Sequence, residues 1–196
     1  MTISTKEQLA DSLLARLPSG ADVWIDSDTV VVHYGCNTPY LYLPPLGGKR
    51  IVTPTTGMCY AIDSREQSLE FGMARLGTYT MAEHPDNTFN MGAHGEFSVS
   101  YAHVIGLEKL IRNRIPTRLT LKEIYRLMEP LLRQAFIDAI TEINGSTQWE
   151  YTRLRNHIAD LSYACWNRFF RIFFDHGLLL IGKQFRIEGI SPPMLS

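Results

Sequence analysis

"FFDHGLLLIGKQFRIEGISPP", Phe173 to Pro193, decides how the chain is to be read. Apolar residues leading into it recur at helical spacing, whereas beyond Gly177 the residues Phe185 and Ile187 alternate with Gln184, Arg186 and Glu188. That alternation is the period of a strand with one buried and one wet face. The pattern predicts a helix closed by Gly177, a turn, and a strand stopped by Pro192 and Pro193.

Upstream of it the pattern stays helical back to His103. Thr147 and Glu150 have the spacing of a capping box, and the helix they open runs through Tyr151, Leu154, Ile158, Leu161, Cys165, Phe169, Ile172 and Phe173. Thr120 and Glu123 form a second such box, before a long helix whose apolar positions run from Leu121 to Ile143, Leu131 among them. Pro130 removes a backbone bond and is expected to kink or divide that helix, and Asn144 and Gly145 to end it. The segment VIGLEKLIRNRI reads as a short helix closed by Pro116.

From Ala21 to Tyr101 the text is β-like, in short runs rich in Val, Ile, Tyr, Thr and Phe punctuated by Gly, Pro, Asn and Asp. Before it, Thr2 to Leu17 reads as an amphipathic helix with Ile3, Leu9, Leu13, Leu14 and Leu17 on one side, ended by Pro18 and Gly20. It carries no aromatic residue and only two basic ones, so it suits packing on protein or a neighbouring subunit better than a membrane surface.

The 196 residues suffice for one ordinary domain, with 45% hydrophobic and 20% charged residues, near the averages of soluble globular chains. A formal net charge of -1 gives no general attraction to nucleic acid, and no nucleic-acid partner is expected. Cys36, Cys59 and Cys165 are odd in number and contain no C-x-x-C pair, which fits a reducing, cytoplasmic setting and suggests neither disulfide framework nor zinc site. Signal-peptide and membrane-spanning patterns are missing from the text.

The tail of two helices ending in FFDHGLLLIGKQFRIEGISPP is similar to the closing unit of the SPFH or band 7 superfamily, which includes stomatins, prohibitins and flotillins. MCYAIDSREQSLEFG (Met58 to Gly72) and GEFSVSYAHVIGLEKLI (Gly95 to Ile111) resemble the branch of that superfamily labelled "virion core protein", in which a Gly-aromatic strand runs into a short helix. The resemblance implies an α+β fold: an antiparallel, partly curled sheet with packed helices, ending helix, helix, strand, in one module over residues 20 to 193. Residues 1 to 19 would form the N-terminal helix and 194 to 196 a short tail. It further implies a non-enzymatic, self-assembling scaffold that forms homo-oligomers and organises protein partners or a membrane surface. A structural component of a virus or phage-like particle is the alternative, and an enzyme of unrecognised type the third. The superfamily's membrane hairpin and coiled-coil extension have no counterpart in this text, so assembly is expected to be built from the module itself.

Chemistry-bearing residues give weaker patterns. His33, His84, His94, His103, His157 and His176 never form H-x-x-x-H, and no catalytic, cofactor-binding or metal-binding set is assigned. His94, His103 and Glu96 are the trio with a chance of converging on a sheet edge. LGGK at Leu46 to Lys49 lacks the phosphate-loop spacing and reads as a hairpin turn. Asp22, Asp26 and Asp28 alternate along a strand, either as a weak cation site or as a charged edge. Arg112, Arg114, Arg118, Lys122 and Arg126 form the densest positive stretch and are candidates for a basic surface.

Tyr163, Trp166, Phe169, Phe170, Phe173 and Phe174 overload one helix with aromatics, since they cannot all face one core. Either the helix is sandwiched on two sides or the surplus marks a subunit interface. Leu13, Leu17, Trp166, Phe170 and Phe174 are the interface candidates.

Overall fold

The computed structural model describes residues 2–35, 39–42, 47–81, 84–111, 116–144 and 151–190. Within them the chain is α+β, and its contacts divide it into two interleaved units. The first comprises Met1–Gln67, Ser100–Tyr125 and Phe174–Leu179, and the second Ser68–Val99, Arg126–Phe173 and Leu180–Ser196.

The amphipathic helix expected over Thr2 to Leu17 is not what forms. Helix α1 is confined to Thr5–Leu9, and Ala10 leaves it with a φ of 45°. Two-residue strand β1, Ile3–Ser4, precedes it, and strand β2, Leu14–Leu17, follows. The reason lies in Leu13, Leu14, Ala15 and Leu17: a short, mostly apolar run, broken by the exposed Arg16, suits a strand as well as it suits a helix. Partners decide the matter, because β2 pairs antiparallel with β7, Met58–Asp63, and with the two-residue β10, Arg118–Leu119.

The first unit adds β3 (Asp22–Ile25), β4 (Thr29–Tyr34), β5 (Pro39–Tyr42) and β6 (Lys49–Val52). Five strands lie in the order β10-β2-β7-β4-β5, and three in the order β1-β3-β6, in which β1 and β3 run parallel. Leu9, Ala15, Leu17, Val23, Ile25, Val31, Cys59 and Ala61 form one buried cluster, packing a face of the larger sheet against the smaller. Each such aliphatic side chain removed from water contributes about 2 kcal/mol. The opposite face carries Leu14, Val30, Val32, Tyr60 and Ile62, also buried. There Tyr34 donates its hydroxyl to the Val104 carbonyl at 2.9 Å, at the start of helix α2, Val104–Ile111.

Gly47 and Gly48 are both left-handed, with φ of 104° and 90°, but they do not make a hairpin: β5 pairs with β4, whereas β6 pairs with β3. In place of the single, partly curled sheet expected from the resemblance there are separate, uncurled sheets, with β6 paired to β3 and not to β5.

In the second unit, the long strand β9, His84–Tyr101, pairs with β8, Gln67–Met81, and with two strands of the tail, β11, Leu178–Leu180, and β12, Arg186–Ile190. The alternation read in the tail appears as written, with Phe185 and Ile187 buried and Arg186 and Glu188 exposed. Between the tail strands a 3-10 turn, Gly182–Gln184, carries the chain from one side of β9 to the other. The β9–β12 register shifts between Ile187 and Gly189, and the Ile187 amide donates to the Ser162 hydroxyl at 3.1 Å. Phe71, Phe97, Phe169, Phe173 and Phe185 form the aromatic core, Phe97 and Phe173 with ring centres 5.1 Å apart.

Helix α3, Leu121–Asn144, stays undivided at Pro130, whose ring is exposed. Its start is the capping box read from sequence: Thr120 N donates to Glu123 Oε2 at 2.8 Å, and Glu123 N to Thr120 Oγ1 at 3.2 Å. Leu131, placed on the apolar face by sequence, is half exposed at 50%, because it falls at the border of the buried arc. The helix expected from Thr147 is instead α4, Tyr151–Asn156, and α5, Ile158–Asp175, separated at His157. His157 faces the Asp160 carboxylate at 2.8 Å in the first turn of α5. The box Thr147–Glu150, Gly145 and the terminal prolines lie outside the described residues.

Gly177 ends α5 as the sequence predicts, at a φ of 81°, its amide donating to the Phe174 carbonyl at 2.9 Å. Its own carbonyl accepts from Ala102 N at 2.9 Å and His103 N at 3.3 Å. Backbone from Gly106 of α2 presses so closely on Gly177 that a Cβ on either residue would collide with main-chain atoms. We predict that Gly177→Ala costs about 3 kcal/mol, combining left-handed strain with overpacking, and Gly106→Ala a similar amount. Urea denaturation checks both; unchanged midpoints would show the contact to be dispensable.

Candidate functional site

Helix α5 advances about 100° per residue, so residues four apart share a face. Leu161, Cys165, Phe169 and Phe173 form the buried face. Tyr163, Trp166, Phe170 and Phe174 fall on an adjoining arc and follow i, i+3, i+7, i+11 spacing. Arg168 leaves on the other side toward Glu142, with which it pairs.

The arc is graded in exposure. Within the second unit, Trp166 and Phe170 are half-buried with ring centres 5.5 Å apart. The indole lies over Gly182, where a Cβ would stand only 3.0 Å from Nε1, and the buried Nε1–H meets no hydrogen-bond partner among the described residues. Tyr163 is 68% exposed and is the most open aromatic of the arc. Phe174 is 43% exposed and belongs to the first unit, where its ring meets His103 edge-on at 4.7 Å. Tyr163 was not among the interface candidates, although its place in the i, i+3, i+7 series was the signal that would have found it.

The other interface candidates are corrected by burial. Leu13 is fully buried and Leu17 is 3% exposed, because β2 is an interior strand rather than one face of a helix. Of the basic candidates, Arg118 and Lys122 are exposed, whereas Arg112 and Arg114 lie outside the described residues.

The three aspartates are held by specific partners. Asp22 takes a two-pronged contact from Arg50, at 2.7 and 2.5 Å, and the Thr2 hydroxyl at 2.8 Å, and these hydrogen bonds lower its carboxyl to about 2. Asp26 accepts from Ser4 Oγ, Thr5 Oγ1 and Lys6 N at 2.8 to 3.0 Å, tying β3 to the start of α1. Burial raises the Asp26 carboxyl, but these three donors outweigh it and the net direction is down. Asp28 contributes its main chain, accepting the Ser64 amide at 2.9 Å. Asp63, buried, is clamped by Arg65 at 2.7 and 3.0 Å; burial acts upward and the Arg65 hydrogen bonds prevail downward. Among the described residues no three His, Cys, Asp or Glu side chains are grouped to hold a metal ion.

The trio His94, Glu96 and His103 is not one site. Glu96 meets Arg186 at 3.4 Å, His94 lies against Gly189, and His103 is occupied in the first unit. There His103 Nδ1 accepts the Gly106 amide at 3.1 Å and Nε2 donates to the Phe174 carbonyl at 2.8 Å. Both nitrogens are spoken for.

Cys59 is opposite His33 in the β4–β7 register, but His33 Nε2 is engaged with the Thr56 carbonyl at 2.7 Å. Burial pushes the Cys59 thiol up to about 11 and raises Cys165 as well, the opposite of what an activated nucleophile needs. Cys36 lies outside the described residues.

No family model matches the chain, and no curated protein is significantly similar to it. The arrangement with the strongest features of a functional site is thus the open aromatic arc of α5. No helix among the described residues is long and apolar enough to cross a membrane.

Two outcomes follow from these environments. Iodoacetamide at mildly alkaline pH leaves Cys59 and Cys165 unmodified in the folded chain and labels them in urea, as read by peptide mass mapping; labelling of either in the folded chain contradicts its burial. Asp26 and Asp63 titrate below the ordinary aspartate value of about 3.9 in the fold, so their contribution to stability is complete above that pH. It disappears as acid protonates them in the folded chain. Asp26→Asn therefore flattens the acid limb of a stability-versus-pH curve, and an unchanged limb would rule this residue out as its cause.

Proposed function

We propose that the chain is a self-associating structural module of SPFH or band 7 type, and that the aromatic arc of α5 is where a second copy sits. One observation carries this reading: Tyr163 stands 68% exposed beside half-buried Trp166 and Phe170. Tyr and Trp are enriched in the anchoring centres of protein interfaces, where a rigid ring buries a large area for little conformational entropy. A net charge of -1 imposes little long-range repulsion between copies. The family assignment is supported by element order, in which β9 leads into the short α2 and the tail runs from helix to strand across Gly177. A reducing, cytoplasmic setting suits the free, buried thiols of Cys59 and Cys165.

Sedimentation velocity tests the reading. The wild-type chain is expected well above its 22.3 kDa monomer mass, and Tyr163→Glu to weaken association at least about tenfold while circular dichroism stays unchanged. A wild-type chain that remains monomeric at all accessible concentrations would sink the proposal. Flotation with anionic vesicles then separates a scaffold at a membrane from one that assembles in solution.

A further inference from the structure

The first unit contains a groove of about 340 Å³ at the open end of β2. It lies past a short neighbour: β10 covers Leu14 and Ala15, and beyond them Arg16 N donates to Thr117 O at 2.8 Å. Pro18 and Gly20 then turn the chain away. Leu17, Pro18, Pro54 and Met58 give the groove apolar walls, and Cys59 adds a buried thiol. Gln8, Ser19 and Thr117 supply the polar lining.

Arg16 is the one charged side chain among the described residues lining this space. It is exposed, and it forms no ion pair among the described residues. Its register partner is Tyr60, whose phenol is influenced by the Arg16 charge. An unneutralised guanidinium beside an apolar trough selects an anion with an apolar body. One cation balances one negative charge, which favours a monocarboxylate over a phosphate ester. Carboxylates are absent from the described lining, so a metal cation has no ligands there.

Size narrows the class further. At roughly 30 Å³ per water-sized group, the groove takes about eleven heavy atoms, the size of a short fatty acid and not of a folded partner. We propose that this groove binds a short-chain carboxylate, with its carboxylate on Arg16 and its alkyl chain along Leu17, Pro18, Pro54 and Met58. The site is independent of the aromatic arc, and its test does not depend on oligomeric state.

Isothermal titration calorimetry with sodium octanoate reads the site directly. The expected result is saturable one-to-one binding at about millimolar affinity, the range open to a ligand of about ten heavy atoms. Octylamine and acetate are expected not to bind, the first for its charge and the second for want of a chain. Arg16→Gln weakens octanoate at least about tenfold. Thr117→Trp, at an exposed position on the groove wall, blocks it while leaving Arg16 in place, and circular dichroism verifies that each variant is folded. Absence of octanoate binding to the folded wild type overturns the proposal. So does equal binding by octylamine, or undiminished binding by a folded Arg16→Gln or Thr117→Trp variant.

Discussion

The first unit is organised by the approach of two glycine backbones, Gly106 at the start of α2 and Gly177 just past α5, too close for a side chain on either. Around that contact several main-chain groups find partners from other segments. The Gly177 carbonyl takes the amides of Ala102 and His103, and the imidazole of His103 joins the Gly106 amide to the Phe174 carbonyl. Because Nδ1 accepts from an amide, the ring's proton must sit on Nε2. His103 is thus a strut between the beginning of one helix and the end of another. Tyr34 adds a third tether at Val104 and brings the larger sheet into the same arrangement.

The same logic recurs where regular structure breaks. Beside the β9–β12 register shift, Ser162 of α5 accepts the Ile187 amide. Arg75 in β8 adopts a left-handed φ of 55°, and Arg133 of α3 caps the carbonyls of Ala74 and Arg75 at 2.5 and 3.1 Å. Each irregularity costs about 1 kcal/mol or more when its polar groups go unanswered. Each is answered here by a side chain remote in sequence, and so the kinks hold one geometry.

What could be read from the text alone was whatever depends on near neighbours. The Thr120–Glu123 box, the Gly177 stop, the alternation of Phe185 and Ile187 and the strand-rich stretch from Ala21 to Tyr101 all rest on local spacing, and all are present. What misled were residues whose state is set by distant partners. Leu14 to Leu17 is interior strand because β7 and β10 flank it, and Asp26 caps a helix twenty residues away rather than guarding an edge. Within the aromatic arc, helical spacing located the face, but only packing separates half-buried Trp166 over Gly182 from open Tyr163. The groove beside Arg16 was illegible for the same reason, since its lining comes from segments distant in sequence, Gln8 to Thr117.

The placement of β2 has a consequence for how the chain is made. Synthesis delivers Leu13 to Leu17 early, yet the strand's partners are Cys59 to Ile62 and, much later, Arg118 and Leu119. Helix α1, five residues long, is too short to persist alone and waits for Asp26 to reach it. On the ribosome the N-terminal segment therefore emerges as an unpaired apolar ribbon with no local structure to hide in. Its first edge stays open until Cys59 to Ile62 emerge and its second until Arg118 and Leu119 do, an interval in which it is a natural ligand for chaperones that recognise extended hydrophobic segments.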